Sequence, residues 1–140
     1  MSRLLVALQF GLIALIAWRV EPARIGPAFV TLLVAGLAVG AWALAANRPG
    51  NFNIRPDPKE GGVLVTHGPY RWVRHPMYLA VTLAMAAFCF AGDALQWGMW
   101  AALVGVLAAK ARREERGLVV AHPGYAGYRA RTRAILPFIL

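Results

Sequence analysis

The sequence predicts an all-α integral membrane protein in a single domain: four transmembrane helices, a cytoplasmic loop between the second and third, and a C-terminal amphipathic helix. Three observations carry that expectation. The 140-residue chain is 59% hydrophobic and only 15% charged, with a mean hydropathy of +0.54, too apolar for an ordinary soluble domain of this size. Its apolar residues fall into four runs separated by Pro, Gly and charged residues. Its basic residues gather in segments that four crossings place on one side of a bilayer.

The first run, Leu4 to Trp18, closes at Arg19 and gives a helix at about 4–20. A signal peptide is the other reading of such a segment, but Trp18-Arg19-Val20-Glu21 offers no small-residue cleavage site, so the run is an anchor. The second run, closed by Asn47-Arg48-Pro49-Gly50, gives a helix at 25–46, the one run that comfortably reaches the roughly 20 residues a crossing needs. A loop at 47–75 follows. Pro76 suits a first helical position, where its missing N–H is not needed, and it pushes His75 towards extended backbone, so the third helix starts there, at 76–91. Gly92-Asp93 leaves almost no loop before the fourth helix at 94–112, which makes the pair an antiparallel hairpin. The tail, 113–140, contains PGYAGYRARTRAILP from Pro123 to Pro137. Tyrosines and arginines three apart in that segment read as a short amphipathic helix on the cytoplasmic surface.

Of the 15 Lys and Arg residues, only Arg19 and Arg24 lie between the first two runs. Arg3, the loop (Arg48, Arg55, Lys59, Arg71, Arg74) and the tail therefore belong together in the cytoplasm, with both termini inside and a bacterial inner membrane as the expected setting. The net charge of +9 does not point to nucleic acid, because the basic residues flank apolar runs instead of forming a polar face interleaved with aromatics; membrane lipids with anionic headgroups are the expected partners. The single cysteine, Cys89, excludes an internal disulfide and reads as an inert buried thiol. His67, His75 and His122 are too scattered for a metal site.

The stretch GPYRWVRHPMYLA, Gly68 to Ala80, packs breakers, aromatics, two arginines and a histidine into thirteen residues just before a hydrophobic helix. The hairpin brings His75 and Tyr78 at the start of its first helix close to Glu114 and Glu115 at the end of its second. Two adjacent acids at a helix C-terminus are disfavoured by the macrodipole, so something should compensate. Surface pairing with Arg112, Arg113 or Arg116 is one reading, and capture of a cationic ligand by one carboxylate is the other. Arg71, Arg74 and His75 likewise read either as membrane-surface anchors or as site residues, and Tyr70, Trp72 and Tyr78 as interface aromatics or ligand contacts.

GPYRWVRHPMY, followed one hairpin later by REERGLVVAHPGYAGYRARTRAILP, resembles the isoprenylcysteine carboxyl methyltransferase and phospholipid methyltransferase superfamily of integral membrane enzymes. The resemblance spans roughly Asn47 to Pro137 and has ordered parts: the LVT-x-GPY lead-in, RHPMY, the Glu-Glu pair, and the Tyr-x-x-Tyr-x-x-Arg tail ending in proline. It implies S-adenosyl-L-methionine as cofactor, with Leu64, Val65 and Tyr70 forming its pocket, His75, Pro76, Met77 and Tyr78 lining it, and Glu114 holding a polar group. Lys110 and Arg131 are the candidate contacts for a lipophilic small-molecule or lipid acceptor. Three departures stand out: Ala80 replaces a common glycine, Arg133-Ala134 stands where many relatives have Pro-Arg, and only two helices precede the motifs.

The cofactor's chemistry fits these residue types. Glu114 or Glu115 suits its ammonium, Arg74 or backbone N–H groups at the start of the third helix suit its carboxylate, and Tyr70, Tyr78 or Trp72 suits its sulfonium and adenine. The Gly-rich loop by which soluble methyltransferases hold it is missing. His75 and Glu114 are the candidate catalytic residues, His75 as a cofactor contact or, for an amine acceptor, as a base. A non-catalytic membrane scaffold and a small carrier are the alternatives from other classes; the carrier lacks charged residues within its first two helices.

Overall fold

The computed structural model describes residues 2–47 and 63–137, and within them the chain forms five α-helices and no strand. They are α1 (Ser2–Trp18), α2 (Pro27–Ala46), α3 (Pro76–Phe90), α4 (Ala94–Ala121) and α5 (Tyr125–Arg131), with 3-10 turns at Pro22–Arg24 and Gly68–Arg71. Arg48, Arg55, Lys59 and most of the expected 47–75 loop lie outside the described residues. At 1.5 Å per residue, the 20 residues of α2 and the 28 of α4 extend about 30 and about 42 Å, and both are apolar enough to cross a membrane. α1 and α3, at 17 and 15 residues, are shorter. Exposed large apolar side chains stud α1 (Leu4, Leu8, Phe10, Leu15) and α2 (Val30, Val34, Leu37, Leu44), as faces turned to lipid require.

The expected helix positions hold except at the end of α4. The run Lys110 to Arg116 was expected to close that helix near residue 112, but Arg, Glu, Leu and Ala are all good helix formers, and the helix continues to Ala121. It ends where Pro123 forces His122 out of the helical region, to φ −130° and ψ 106°. Glu114 and Glu115 are consequently not in the last turn, and the dipole penalty, which fades within one turn of the end, does not apply to them.

α3 is the central element, packed on α2 along one side and on α4 along another. Small residues let α2 and α3 approach. A Cβ on Gly36 would stand 2.8 Å from the Ala84 nitrogen and 2.9 Å from the Ala80 carbonyl oxygen, and one on Gly40 would stand 3.5 Å from the Ala80 Cβ. The methyl of Ala80 is therefore accommodated by glycine on the facing helix. Phe29 and Phe88 meet edge to face at 5.3 Å farther along the seam.

The hairpin turn is fixed by capping. Asp93 accepts hydrogen bonds from the Leu95 and Gln96 N–H groups at 3.0 and 3.2 Å, while the Asp93 N–H donates back to Gln96 Oε1 at 2.8 Å. Gln96 Nε2, fully buried, donates to the Ile16 carbonyl at 2.9 Å and so ties α1 to the turn. The α1–α2 connection closes on the same place: the Glu21 N–H donates to the Ala91 carbonyl at 2.8 Å, Arg24 donates to the Gly92 carbonyl at 2.7 Å, and Arg19 pairs with Asp93.

Gly36→Val should lower stability by about 1–3 kcal/mol through overpacking against α3, read as a drop in the melting midpoint in detergent. Gly11→Ala and Gly105→Ala, where an added methyl meets nothing within 4 Å, should melt with the parent. A Gly36→Val protein as stable as the parent would contradict the close seam.

Candidate functional site

The site is built on a backbone pairing between the segment before α3 and the chain beyond α5. Gly68, at φ +60°, opens the 3-10 turn in a left-handed conformation that a side chain rarely adopts. Beyond the turn, Val73 bridges Arg133 in parallel register. Arg133 N–H donates to the Trp72 carbonyl at 3.0 Å, Arg74 N–H to the Arg133 carbonyl at 2.8 Å and His75 N–H to the Ala134 carbonyl at 2.9 Å. Proline at 133 would remove the first of these donors, which gives the Arg133-Ala134 departure a local reason. Tyr128 adds a 2.6 Å bond from its hydroxyl to the Tyr70 carbonyl. Arg74 and His75 are thereby aimed at α4 before any side-chain contact is made.

The predicted meeting of α3's start with the acidic pair is present in the structure. Glu115, with 7% of its side chain exposed, takes Arg74 Nε at 2.7 Å and His75 Nε2 at 3.3 Å on one oxygen, and Arg129 Nε at 3.3 Å on the other. Glu114, 28% exposed, faces His75 Nδ1 at 3.5 Å and accepts the Tyr78 hydroxyl at 3.2 Å. The imidazole thus lies between two carboxylates, and the Tyr78 ring stacks on it at 5.2 Å. These groups lie past the apolar part of α4. Burial alone would raise the Glu115 pKa, but hydrogen bonds from His75 and Arg74, and their charges, hold its carboxyl well below the usual range, at about 2. Arg74 also donates to the carbonyls of Arg129 and Thr132. α5 is thereby tied to the site, and its buried Tyr125 and Tyr128 form its inner face.

The other candidate residues divide between two further environments. Val65 and Tyr70 are buried with Ala43 of α2 and pack on Met77, while Leu64 is half-buried beside them and Pro76 is fully buried. Tyr70 accepts a 3.4 Å hydrogen bond from Asn47 on its hydroxyl. Lys110 is 1% exposed: its ammonium donates to Gln9 of α1 and stands 5.4 Å from the Tyr78 ring centroid. Trp72, half-exposed, lies edge to face with Trp42 at 5.5 Å. These two rings, with Val39, Pro69, Val73, Leu79 and Pro137, wall a cavity of about 550 Å³ that Arg131 and Arg133 also line. Arg131 is therefore in the apolar cavity, apart from the carboxylates.

Sequence reasoning missed four participants. Arg129 and Thr132 lie in the tail, and their approach to Glu115 and Arg74 depends on the return of the chain after α5. Gln9 lies in the middle of an apolar run, where one amide among apolar residues is the only trace it leaves. Tyr125 is 1% exposed, and no described residue hydrogen-bonds its hydroxyl. Burial, and the charge of the nearby Glu115, raise its pKa.

No curated protein and no solved structure matches the chain. Comparison with protein-family models matches residues 29–120 to the isoprenylcysteine carboxyl methyltransferase (ICMT) family. The matched region runs from α2 to the end of α4 and contains Arg74, His75, Tyr78, Glu114 and Glu115, the residues that the hairpin assembles. A match over more than half of the chain, centred on that cluster, shows that this protein belongs to the isoprenylcysteine carboxyl methyltransferase family, a family of methyltransferases.

Proposed function

We propose that the chain is an S-adenosylmethionine-dependent methyltransferase that acts at the membrane–cytoplasm interface on a lipophilic acceptor. The observation that carries this reading is the unequal pair at the end of the hairpin: Glu115 is closed in by Arg74, His75 and Arg129 with 7% of its side chain exposed, while Glu114 keeps 28% exposure beside Tyr78 and His75. A carboxylate held in place but still open is what a ligand ammonium requires.

The residues present fit the cofactor. Glu114 would hold its ammonium, and the buried Tyr125 hydroxyl, left without a partner among the described residues, supplies a polar group awaiting one. Trp72 is the exposed ring of the three aromatics considered for the sulfonium and adenine, because Tyr70 is buried against α2 and Tyr78 already meets His75 and Lys110. When bound, S-adenosylmethionine supplies a methyl group activated on a sulfonium. The chain's task is then to set the acceptor in line with that methyl and to exclude water from the pair.

His75 has each ring nitrogen facing a carboxylate. With both ring nitrogens turned to carboxylates, the imidazole orients Glu114 and Tyr78 and presents neither nitrogen to an acceptor. The acceptors favoured are those that need no base, a carboxylate above all or a thiolate, over a lipid amine. The cavity of about 550 Å³ suits the apolar body of such a molecule, and Arg131 and Arg133 in its wall suit an anionic head. The four longer helices cross the inner membrane with both termini in the cytoplasm, which places the site at the surface where cofactor enters from water and acceptor from lipid.

Three measurements test this reading. Calorimetric titration of the demethylated cofactor into purified protein should show binding that Glu114→Gln weakens at least tenfold and that His75→Ala also weakens, with melting midpoints near the parent's for Glu114→Gln. Glu115→Gln should act differently, lowering the midpoint because Arg74, His75 and Arg129 lose their shared carboxylate; removal of one partner of a buried pair costs about 3–5 kcal/mol. Parent protein that binds neither form of the cofactor would leave the scaffold reading as the better one. Separately, tags on both termini should be reachable by an impermeant reagent only from the cytoplasmic side, and labelling of either from the periplasm would overturn the four-crossing topology.

A further inference from the structure

The matched region begins at residue 29, so α1 lies outside it, yet α1 sends one buried polar side chain to the edge of the site. Gln9, 7% exposed, accepts a hydrogen bond from Lys110, whose ammonium is 1% exposed and stands 5.4 Å from the Tyr78 ring centroid. Tyr78 in turn donates to Glu114 at 3.2 Å, and Glu114 follows Lys110 by four residues on the same helix face. A buried cation inside an apolar helix is expensive and calls for a reason. Holding α1 against α4 is not a sufficient one, because Gln96 already ties α1 to the hairpin through a neutral bond to the Ile16 carbonyl at 2.9 Å.

We infer that Lys110 is a positioning residue whose buried positive charge disfavours the cationic cofactor relative to its neutral-sulfur product. The inference rests on the S-adenosylmethionine reading of the Glu114 site. As the acceptor's lone pair bonds to the methyl carbon, the carbon–sulfur bond breaks and its electron pair stays on sulfur, so the sulfonium charge disappears. A fixed ammonium one helical turn from Glu114 repels that charge before transfer, whereas the ligand's own ammonium, present before and after, it repels alike in both forms. Lys110 acts through its field, because Gln9 and Tyr78 already engage its ammonium. Gln9 keeps that ammonium turned inwards. Reactant is thereby raised relative to product, while the ammonium that both forms carry to Glu114 meets the same field in each.

The test compares two ligands of different charge and does not need turnover. Dissociation constants for S-adenosylmethionine and for S-adenosylhomocysteine are measured by calorimetry on the full chain in detergent, for the parent, Lys110→Met, Lys110→Arg and Gln9→Glu. One unit charge roughly 10 Å away at an effective dielectric of about 20 alters a charged ligand's affinity on the order of tenfold. The parent should favour the homocysteine form, and Lys110→Met should shrink the ratio of the two constants on the order of tenfold. Lys110→Arg should keep the parent's ratio, and Gln9→Glu, which neutralises the ammonium without removing it, should shrink the ratio part of the way. A general structural role would weaken both ligands together and leave the ratio fixed. An unchanged ratio in folded Lys110→Met overturns the inference; if that variant does not fold, an unchanged ratio in Gln9→Glu does so. A parent that binds neither ligand defeats the cofactor reading itself and this inference with it, whereas a parent that binds both with a ratio insensitive to these changes defeats this inference alone.

Discussion

A carboxylate sealed from water must be answered by partners in its own neighbourhood, and Glu115 is answered by groups from two separate parts of the chain. Arg74 and His75 come from the segment before α3, and Arg129 comes from α5. Each of these side chains is delivered by a different backbone device: the parallel pairing of residues 73–75 with the strand-like return at 133–134, the start of α3 at Pro76, and the short helix held inwards by Tyr125 and Tyr128. The ion cluster is therefore the place where hairpin and tail become one structure. It also explains why the tail, only seven helical residues long, has a fixed position at all, since a helix of that length is not stable by itself.

The two adjacent acids divide the work because an α-helix turns about 100° between them. Glu115 points into the cluster and is used up there. Glu114 points towards Tyr78 and the remaining exposure, and it also faces the second nitrogen of the same imidazole. His75 is thus the mechanical link between a structural carboxylate and an open one. Any ligand that draws on Glu114 acts on a side chain whose position is set, through His75, by an interaction it does not itself touch. Such an arrangement keeps the open carboxylate preorganised within a helical hairpin.

Much of this was legible in the sequence. The breaker at Pro76, the two-residue turn at Gly92-Asp93 and the apolar runs between them sufficed to predict that His75 and Tyr78 would meet Glu114 and Glu115, because a tight hairpin allows its helices no other relation. The end of α4 was not legible. Charge was read as a boundary, whereas the residues carrying it are strong helix formers, and the true stop is two residues before Pro123. The roles within the acidic pair were also hidden, since choosing between neighbours requires knowing where Arg129 arrives, and that depends on a chain reversal at residues 122–124 that no local pattern encodes. Gln9 and Gln96 were invisible for a different reason: a single amide in an apolar run has the same appearance whether it faces lipid, a helix or a site.

The polar cluster and the apolar cavity have no lining residue in common, but they are interleaved in sequence. Trp72 and Val73 face the cavity, Arg74 and His75 face the carboxylates, Tyr78 meets Glu114, and Leu79 returns to the cavity. The side changes between Val73 and Arg74, where the chain leaves the 3-10 turn and pairs with residues 133–134, and again within the first turn of α3. The eight residues from Trp72 to Leu79 therefore carry both a charged cluster and an apolar, cation-rimmed cavity without any intervening element. Side chains suited to a polar ligand and side chains suited to an apolar one are thus carried on a single short segment. The tail completes both walls at once, with Arg129 on the carboxylate side and Arg131 and Arg133 on the cavity side. A displacement of α5 would therefore disturb both walls together.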